Sequence, residues 1–258
     1  MEARKGLGSS PPLFLVSFLF CCSGLACSRT APSHTAPEGM IAIPNASFFL
    51  DRTPVTVAAY RASGLPTAAT RLGGSVIDLS TGHWRIVAGA TYEHPQGPEG
   101  NAAGDDEPAT QISWDDASAF CAERGARLPT EEEWEHAARN GRGDDTLYPW
   151  GDDAIDHGRW RLNAWQGAFP TANTLDDGYL FASPVGTFPP TPIGLTDMVG
   201  NVWQWTSSVF AEGRRAMRGG SFLCDADVCH GYRIAARQGA SSDSALMHLG
   251  FRCAMDAR

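Results

Sequence analysis

Arg218-Gly219-Gly220-Ser221-Phe222-Leu223-Cys224-Asp225-Ala226-Asp227-Val228-Cys229 sets two cysteines five residues apart behind a pair of glycines. In a straight strand, side chains five apart face opposite sides, so the two sulfurs converge only if Asp225-Ala226-Asp227 turns the chain. The stretch is a loop, and its surroundings agree. From Gly141 to the end, Gly, Pro, Asp and Trp recur without helical period, and short runs at 232–236 and 249–254 read as strands between turns. Helices are confined to the first half. Thr53-Pro54 opens a short one that ends near Ser63 before Gly64. Ser113 with Asp116 caps a second, which brings Ala117, Phe120 and Cys121 to one face and stops at Gly125. Thr130 with Glu133 forms a capping box for a third, followed by Trp134, Ala137 and Ala138, and closed by Asn140-Gly141. Between Ala68 and Gly82 only Val76-Ile77 hints at a strand. The expectation is α+β: a single irregular, loop-rich domain.

Composition supports that reading. The chain has 258 residues, 43% hydrophobic and 19% charged, which excludes a disordered or fibrous protein and suffices for one sizeable core. Its 28 Gly and 17 Pro disfavour long helices, and 8 Trp supply large apolar plugs. The net charge of −9 excludes a phosphate-tracking surface, so nucleic acid is not an expected partner.

Arg4 and Lys5 precede an apolar run at 13–25 that is too short to span a bilayer, and small residues follow at Gly24 and Ala26. Residues 1–26 read as a signal peptide. Cys27 then resembles the lipid-modified cysteine of bacterial lipoproteins, with plain cleavage after Ala26 as the alternative; either route exports the protein to the cell envelope or beyond. Residues 27–39, rich in Ser, Thr, Pro and Ala, read as a flexible tether before a domain at 40–258. Four cysteines remain in that domain, Cys121, Cys224, Cys229 and Cys253, and they allow three pairings. For Cys224 and Cys229 the residues leave three fates: a disulfide closing a small loop, a zinc site for which the usual CxxC and His spacings are missing, or a soft Cu(I) site.

Further segments make the chain recognisable. They are His94-Pro95-Gln96-Gly97-Pro98, Gln111-Ile112-Ser113-Trp114, Arg127-Leu128-Pro129-Thr130-Glu131-Glu132-Glu133-Trp134-Glu135, Tyr148-Pro149-Trp150-Gly151, Gly200-Asn201-Val202-Trp203-Gln204-Trp205, Arg218-Gly219-Gly220-Ser221 and Gly250-Phe251-Arg252-Cys253. In this order they resemble the formylglycine-generating enzymes, or sulfatase-modifying factors, from roughly Gly39 to Arg258, with an abbreviated first strand region between Phe48 and Arg52. Most of the segments are shared across the superfamily. The Cys224/Cys229 pair after Gly-Gly-Ser marks the formylglycine-generating branch.

The resemblance implies a C-type-lectin-like fold and a copper-dependent oxidase. Such an enzyme binds an unfolded, sulfatase-type Cys-x-Pro-x-Arg segment and converts its cysteine to Cα-formylglycine with O2 and a thiol reductant. By position, Cys224 and Cys229 would hold Cu(I), Trp203 would wall the reacting centre and Ser221 would orient oxygen. Two structural Ca2+ sites carry over, one from Asn163, Ala164, Asp177 and Tyr179, the other from Asp197, Gly200, Val202 and Gln204. Cys121 and Cys253 match a structural disulfide, and the two positions of a second family bridge are apolar here, Ala138 and Ile234. The chain departs from the family at His248, where Asn is common, at Asp225 after Cys224, and at Gln204, where Glu is common. Two other readings stand beside the oxidase: a non-catalytic exported binding module on the same fold, and an iron oxidase of the superfamily using a small thiol, which the lack of an evident His triad disfavours.

Overall fold

The computed structural model describes residues 35–225 and 230–257. The expected signal peptide, the first part of the tether and Cys229 lie outside the described residues. In chain order the elements are β1 (Met40–Ala42), β2 (Phe48–Asp51), α1 (Val57–Ser63), α2 (Ala68–Leu72), β3 (Gly74–Asp78), β4 (His83–Val87), α3 (Trp114–Glu123) and α4 (Glu131–Ala138). After these come β5 (Ile155–Asp156), β6 (Arg159–Trp160), β7 (Trp203–Ala211), β8 (Arg214–Arg218), a 3-10 turn at His230–Tyr232, β9 (Arg237–Ser241), β10 (Leu249–Gly250) and β11 (Ala254–Asp256). Long irregular loops join small sheets, as expected for the α+β class. The folded part begins before the predicted boundary at 40: Ala36 packs on the core, and Gly39 accepts from Arg52 N at 2.8 Å.

The helices start where side chains can satisfy their first amide groups. At α3, Ser113 Oγ accepts from Asp116 N (3.1 Å) while the Asp116 carboxylate accepts from Ser113 N (3.2 Å). At α4, Thr130 Oγ1 and Glu133 do the same at 3.1 and 2.9 Å. Both predicted boxes are present, and Ala117, Phe120 and Cys121 are buried as expected. The first helix starts later than Thr53-Pro54. Thr56 is its cap, because Val55 is held in an extended segment by Phe251 O (2.9 Å). Gly64, at φ 68°, ends it as anticipated.

Two strand expectations shift. The run at 232–236 is not a strand; the strand is β9, directly after it. The run at 249–254 splits into β10 and β11, which join different sheets: β10 lies parallel to β7, whereas β11 is antiparallel to β2. Gly250-Phe251-Arg252-Cys253 crosses between the two, and Arg252 explains why it cannot stay in one ladder. Its guanidinium is fully buried and all five N–H groups are used. Nε donates to Gln204 Oε1 (2.7 Å), Nη1 to the carbonyls of Asp51 and Arg52 (2.9 and 3.2 Å), and Nη2 to those of Thr196 and Asp197 (2.7 and 3.1 Å). Burial lowers its pKa to about 10, so the charge persists at neutral pH.

Beside it, Cys121 and Cys253 form the expected disulfide, with Cα atoms 5.6 Å apart and a separation of 132 positions in the sequence. A loop of that length stabilises by about 5 kcal/mol in the chain-entropy estimate, an upper figure. Ala138 and Ile234 are both fully buried.

Arg252→Met removes a buried charged donor from four carbonyls and one amide oxygen, of which the Arg52 carbonyl, the Asp197 carbonyl and Gln204 Oε1 keep Thr196 N, Gln204 Nε2 and Trp134 Nε1 as second partners. It is expected to lower unfolding free energy by about 3–5 kcal/mol. Urea midpoints of the two proteins measure this, and a loss below about 1 kcal/mol contradicts the role given to the guanidinium.

Candidate active site

Gly219 and Gly220 adopt φ of 99° and 75° at the end of β8. A Cβ on Gly220 would stand 2.4 Å from Tyr232 N, and one on Gly219 2.8 Å from Met198 O, so neither position accepts a side chain. This double kink delivers a tight turn at 221–224, closed by Cys224 N donating to Ser221 O at 2.9 Å. The turn sits earlier than the predicted one at Asp225-Ala226-Asp227, of which 226–227 lie outside the described residues. It places Ser221 Oγ 3.9 Å from Cys224 Sγ, and the same hydroxyl accepts from Leu223 N at 3.3 Å.

The turn is latched to two other loops. Gly200 N donates to Gly219 O (2.8 Å), Phe222 N to Asn201 O (2.9 Å) and Trp165 N to Cys224 O (2.9 Å). Asn201, at φ 58°, is itself held by Ser183 N and O through its side chain at 3.0 and 3.1 Å. The glycine-asparagine step thus sets the start of β7, where Trp203 N donates to His248 O (2.9 Å).

These contacts enclose a chamber of about 190 Å3 lined by Trp203, Ser221, Cys224, Met217, Trp84 and His248, among others. Three of the four predicted catalytic residues, Trp203, Ser221 and Cys224, therefore meet; the fourth, Cys229, lies outside the described residues. Cys224 is 1% exposed, and its sulfur is a soft donor in the chamber. Asp225 also lines it. Among the described residues no three His, Cys, Asp or Glu side chains are grouped to hold a metal. His248 lies against Trp84, ring centroids 4.9 Å apart, and its Nδ1 is buried without a hydrogen-bond partner among the described residues. Burial pushes its pKa down to about 3, so the ring is neutral.

The two predicted calcium sets fare differently. In the first, the Asp177 carboxylate accepts from Ala164 N and Tyr179 N, both at 2.9 Å, which gathers the four residues. Burial raises the Asp177 pKa, and Asn163 Oδ1 is buried with no hydrogen-bond partner among the described residues. An unpaired amide oxygen beside a desolvated carboxylate fits a hard cation. The second set does not fit. Gln204 Oε1 already accepts from Trp134 Nε1 (2.9 Å) and from Arg252, and its amide nitrogen donates to Asp197 O (2.7 Å). Asp197 accepts from Gly186 N (2.7 Å) and Asn201 Nδ2 (3.3 Å). The buried Arg252 guanidinium thus occupies one member of the set, Gln204 Oε1, together with the Asp197 carbonyl. The Glu-to-Gln departure, with its smaller charge, is consistent with this.

Sequence reasoning missed Trp84, Met217 and Gln238 on the chamber wall. The alternation in His83-Trp84-Arg85-Ile86-Val87 after Gly82 was the available signal for the strand that carries Trp84.

Comparison with known proteins identifies the family and the fold. The Sulfatase-modifying factor enzyme 1-like domain family matches residues 19–257. A formylglycine-generating enzyme of Streptomyces coelicolor is 38% identical over 247 residues, covering 81% of this chain and 78% of the relative. An inactive C-alpha-formylglycine-generating enzyme 2 of Mus musculus is 44% identical over 182 residues, covering 67% of this chain and 58% of that one. The structure of PvdO from Pseudomonas aeruginosa aligns at TM-score 0.58 and 20% identity, covering 84% of this chain and 90% of that chain, a likeness of fold alone.

The neutral His248 ring makes stability depend on pH. The folded pKa lies below the unfolded value near 6.5, so the contribution is full above about 6.5 and is lost as pH falls towards 3. Between pH 7 and pH 5 the wild type should lose about 2 kcal/mol more unfolding free energy than His248→Asn. Equal losses in urea titrations would show that the ring is solvated.

Proposed function

The chain belongs to the sulfatase-modifying factor family of formylglycine-generating enzymes, and from that membership we propose that it oxidises a cysteine in an unfolded Cys-x-Pro-x-Arg segment to Cα-formylglycine. The observation that carries this reading is the position of Cys224. Its sulfur lies in a chamber sized for a side chain, with Ser221 Oγ 3.9 Å away and the Trp203 indole as a wall.

In this reading Cys224 and Cys229 hold Cu(I), a soft ion suited to paired sulfurs. When bound, copper supplies the one-electron chemistry that lets O2 react with a thiolate. The overall change balances with a thiol reductant: the client –CH2–SH becomes –CHO, its sulfur leaves as sulfide, one oxygen atom ends in the aldehyde and the other in water. Two electrons and two protons come from the reductant, which becomes a disulfide. The chain's own residues exclude water and set direction. Trp203 and Leu223 line an apolar enclosure. Ser221 Oγ accepts from Leu223 N, so its own O–H can turn from Cys224 Sγ, 3.9 Å away, towards an incoming oxygen atom. A ring with a pKa as low as that of His248 serves the client thiol as a hydrogen-bond partner, not as a proton store.

Asn163, Ala164, Asp177 and Tyr179 are proposed to hold a structural Ca2+, pinning the loop whose Trp165 N–H bonds to Cys224. Signal cleavage, with or without lipid attachment at Cys27, would put the enzyme in the cell envelope or outside the cell, acting on a client that arrives unfolded. The likeness to the inactive mouse protein favours one second reading, an exported binding module that keeps the chamber and oxidises nothing.

A Cys-x-Pro-x-Arg peptide incubated with copper-loaded protein, O2 and thiol should show the mass loss of thiol-to-aldehyde conversion. Cys224→Ser should lower turnover by more than about 100-fold, beyond the effect of losing a merely supporting contact. Peptide binding without any mass change supports the binding module instead.

A further inference from the structure

At about 190 Å3 the chamber falls below the roughly 300–1,000 Å3 of sites that enclose a whole small molecule. It can take a side chain, and the rest of an extended substrate must lie outside. The chamber shares Trp84, Met217, Gln238 and His248 with an adjoining cleft of about 430 Å3 that runs on to Arg214, Ser241 and Ser244. Sheet faces line both spaces. In the β3–β4 hairpin Ile77 pairs with Trp84 and Ser75 with Ile86, so these four side chains share one face. Trp84 and Ile86 remain 43% and 68% exposed. Across from them, Met217 pairs with Gln238 between β8 and β9. Gln238, Ser241 and Ser244 make no side-chain hydrogen bond among the described residues, which leaves polar groups available to an extended backbone.

Charge distinguishes the far end of this cleft. Arg214 is the one charged side chain lining it; His248 is neutral, and Asp243 in the neighbouring turn does not line it. The Arg214 guanidinium rests on the Phe210 ring at 5.6 Å and donates to Gly239 O. The contact requires the bare glycine, since a Cβ on Gly239 would stand 2.5 Å from Phe210. Arg237 packs on the same ring at 4.9 Å, but its charge is matched by Glu131 at 2.6 Å. Arg214 has no carboxylate in ion-pair reach among the described residues. A preplaced cation at the end of a groove, on a chain of net charge −9, attracts an acidic group there and repels it elsewhere.

We propose that Arg214 determines client specificity by pairing with an acidic side chain that flanks the reacting cysteine in an extended polypeptide segment. The proposal rests on the reading that a client cysteine enters the chamber beside Cys224. It adds a preference that the Cys-x-Pro-x-Arg pattern does not contain.

Fluorescent peptides in which Ser replaces the reacting Cys, with Asp, Asn or Lys scanned along each flank, test it by anisotropy on the full chain. The Cys forms of the same peptides are assayed in parallel for aldehyde. On one flank, Asp should bind about 5-fold tighter than Asn, with the gain shrinking at high salt. Arg214→Gln should erase the difference, and Arg214→Glu should turn the preference towards Lys. Affinities independent of flank charge, a preference that survives Arg214→Gln, or no binding by any peptide overturns the proposal. Charge-dependent binding without aldehyde leaves Arg214 its role and removes the oxidation; aldehyde formation without flank dependence does the reverse.

Discussion

Arg252 fastens three parts of the chain that no regular ladder joins. Its five N–H groups reach carbonyls at the end of β2, carbonyls in the loop at 196–197 and the side chain of Gln204 in β7. Among the described residues no carboxylate pairs with the guanidinium. Asp51, one of two acidic residues whose charge reaches it, spends its carboxylate on Arg124 at 2.9 and 3.0 Å and on Cys253 N at 2.9 Å. Desolvating a charge this way is tolerable only because every donor is satisfied, and the price is geometric: the four carbonyls must stay where they are. Backbone that would otherwise be loose loop is thereby fixed.

That fixation is passed to the chamber through Gln204. Its amide oxygen joins Arg252 to Trp134 of α4, and its amide nitrogen takes the Asp197 carbonyl. The segment from Gly200 to Gln204 is held at this end by Gln204 and at the other by Asn201, and it carries Trp203 between them. Arg218, one step before the glycine pair, is anchored independently to Glu131 and Glu135 at 3.2 and 2.5 Å. Both strand ends that present chamber residues are thus tied to α4. A site built on loops gains the rigidity that strands and helices would otherwise supply.

Local rules made the middle of this architecture legible. Ser113/Asp116 and Thr130/Glu133 announce their helices because capping is a three-residue interaction, and Gly64 announces a stop for the same reason. The boundaries that moved were set by distant partners. Phe251 O delays α1, and Arg252 splits the last strand, neither of which is visible within a short window. Asn201 and Gln204 read as family markers, yet their bonding shows them to be structural hubs. Three of the expected catalytic residues come together because each lies next to a sequence-local device, the Gly-Gly kink or the Gly-Asn step. The alternation around Trp84 signals a strand but not its place at the chamber, which comes from pairing with β3, whose Ser75 carbonyl and amide bond to Met247 and Ala245. For the second calcium set, spacing cannot reveal that Trp134 and Arg252 already bond to the Gln204 amide oxygen.

The central claim is that the sulfur of Cys224 serves chemistry in the chamber and does not brace the backbone. Copper stoichiometry combined with a thiol count on the purified full-length protein tests it most directly. The account predicts about one Cu(I) per chain, lost in Cys224→Ser and in Cys229→Ser, with two further thiols titrating once a chelator strips the metal. A Cys224–Cys229 disulfide that withstands mild reductant in a protein retaining no copper would contradict it.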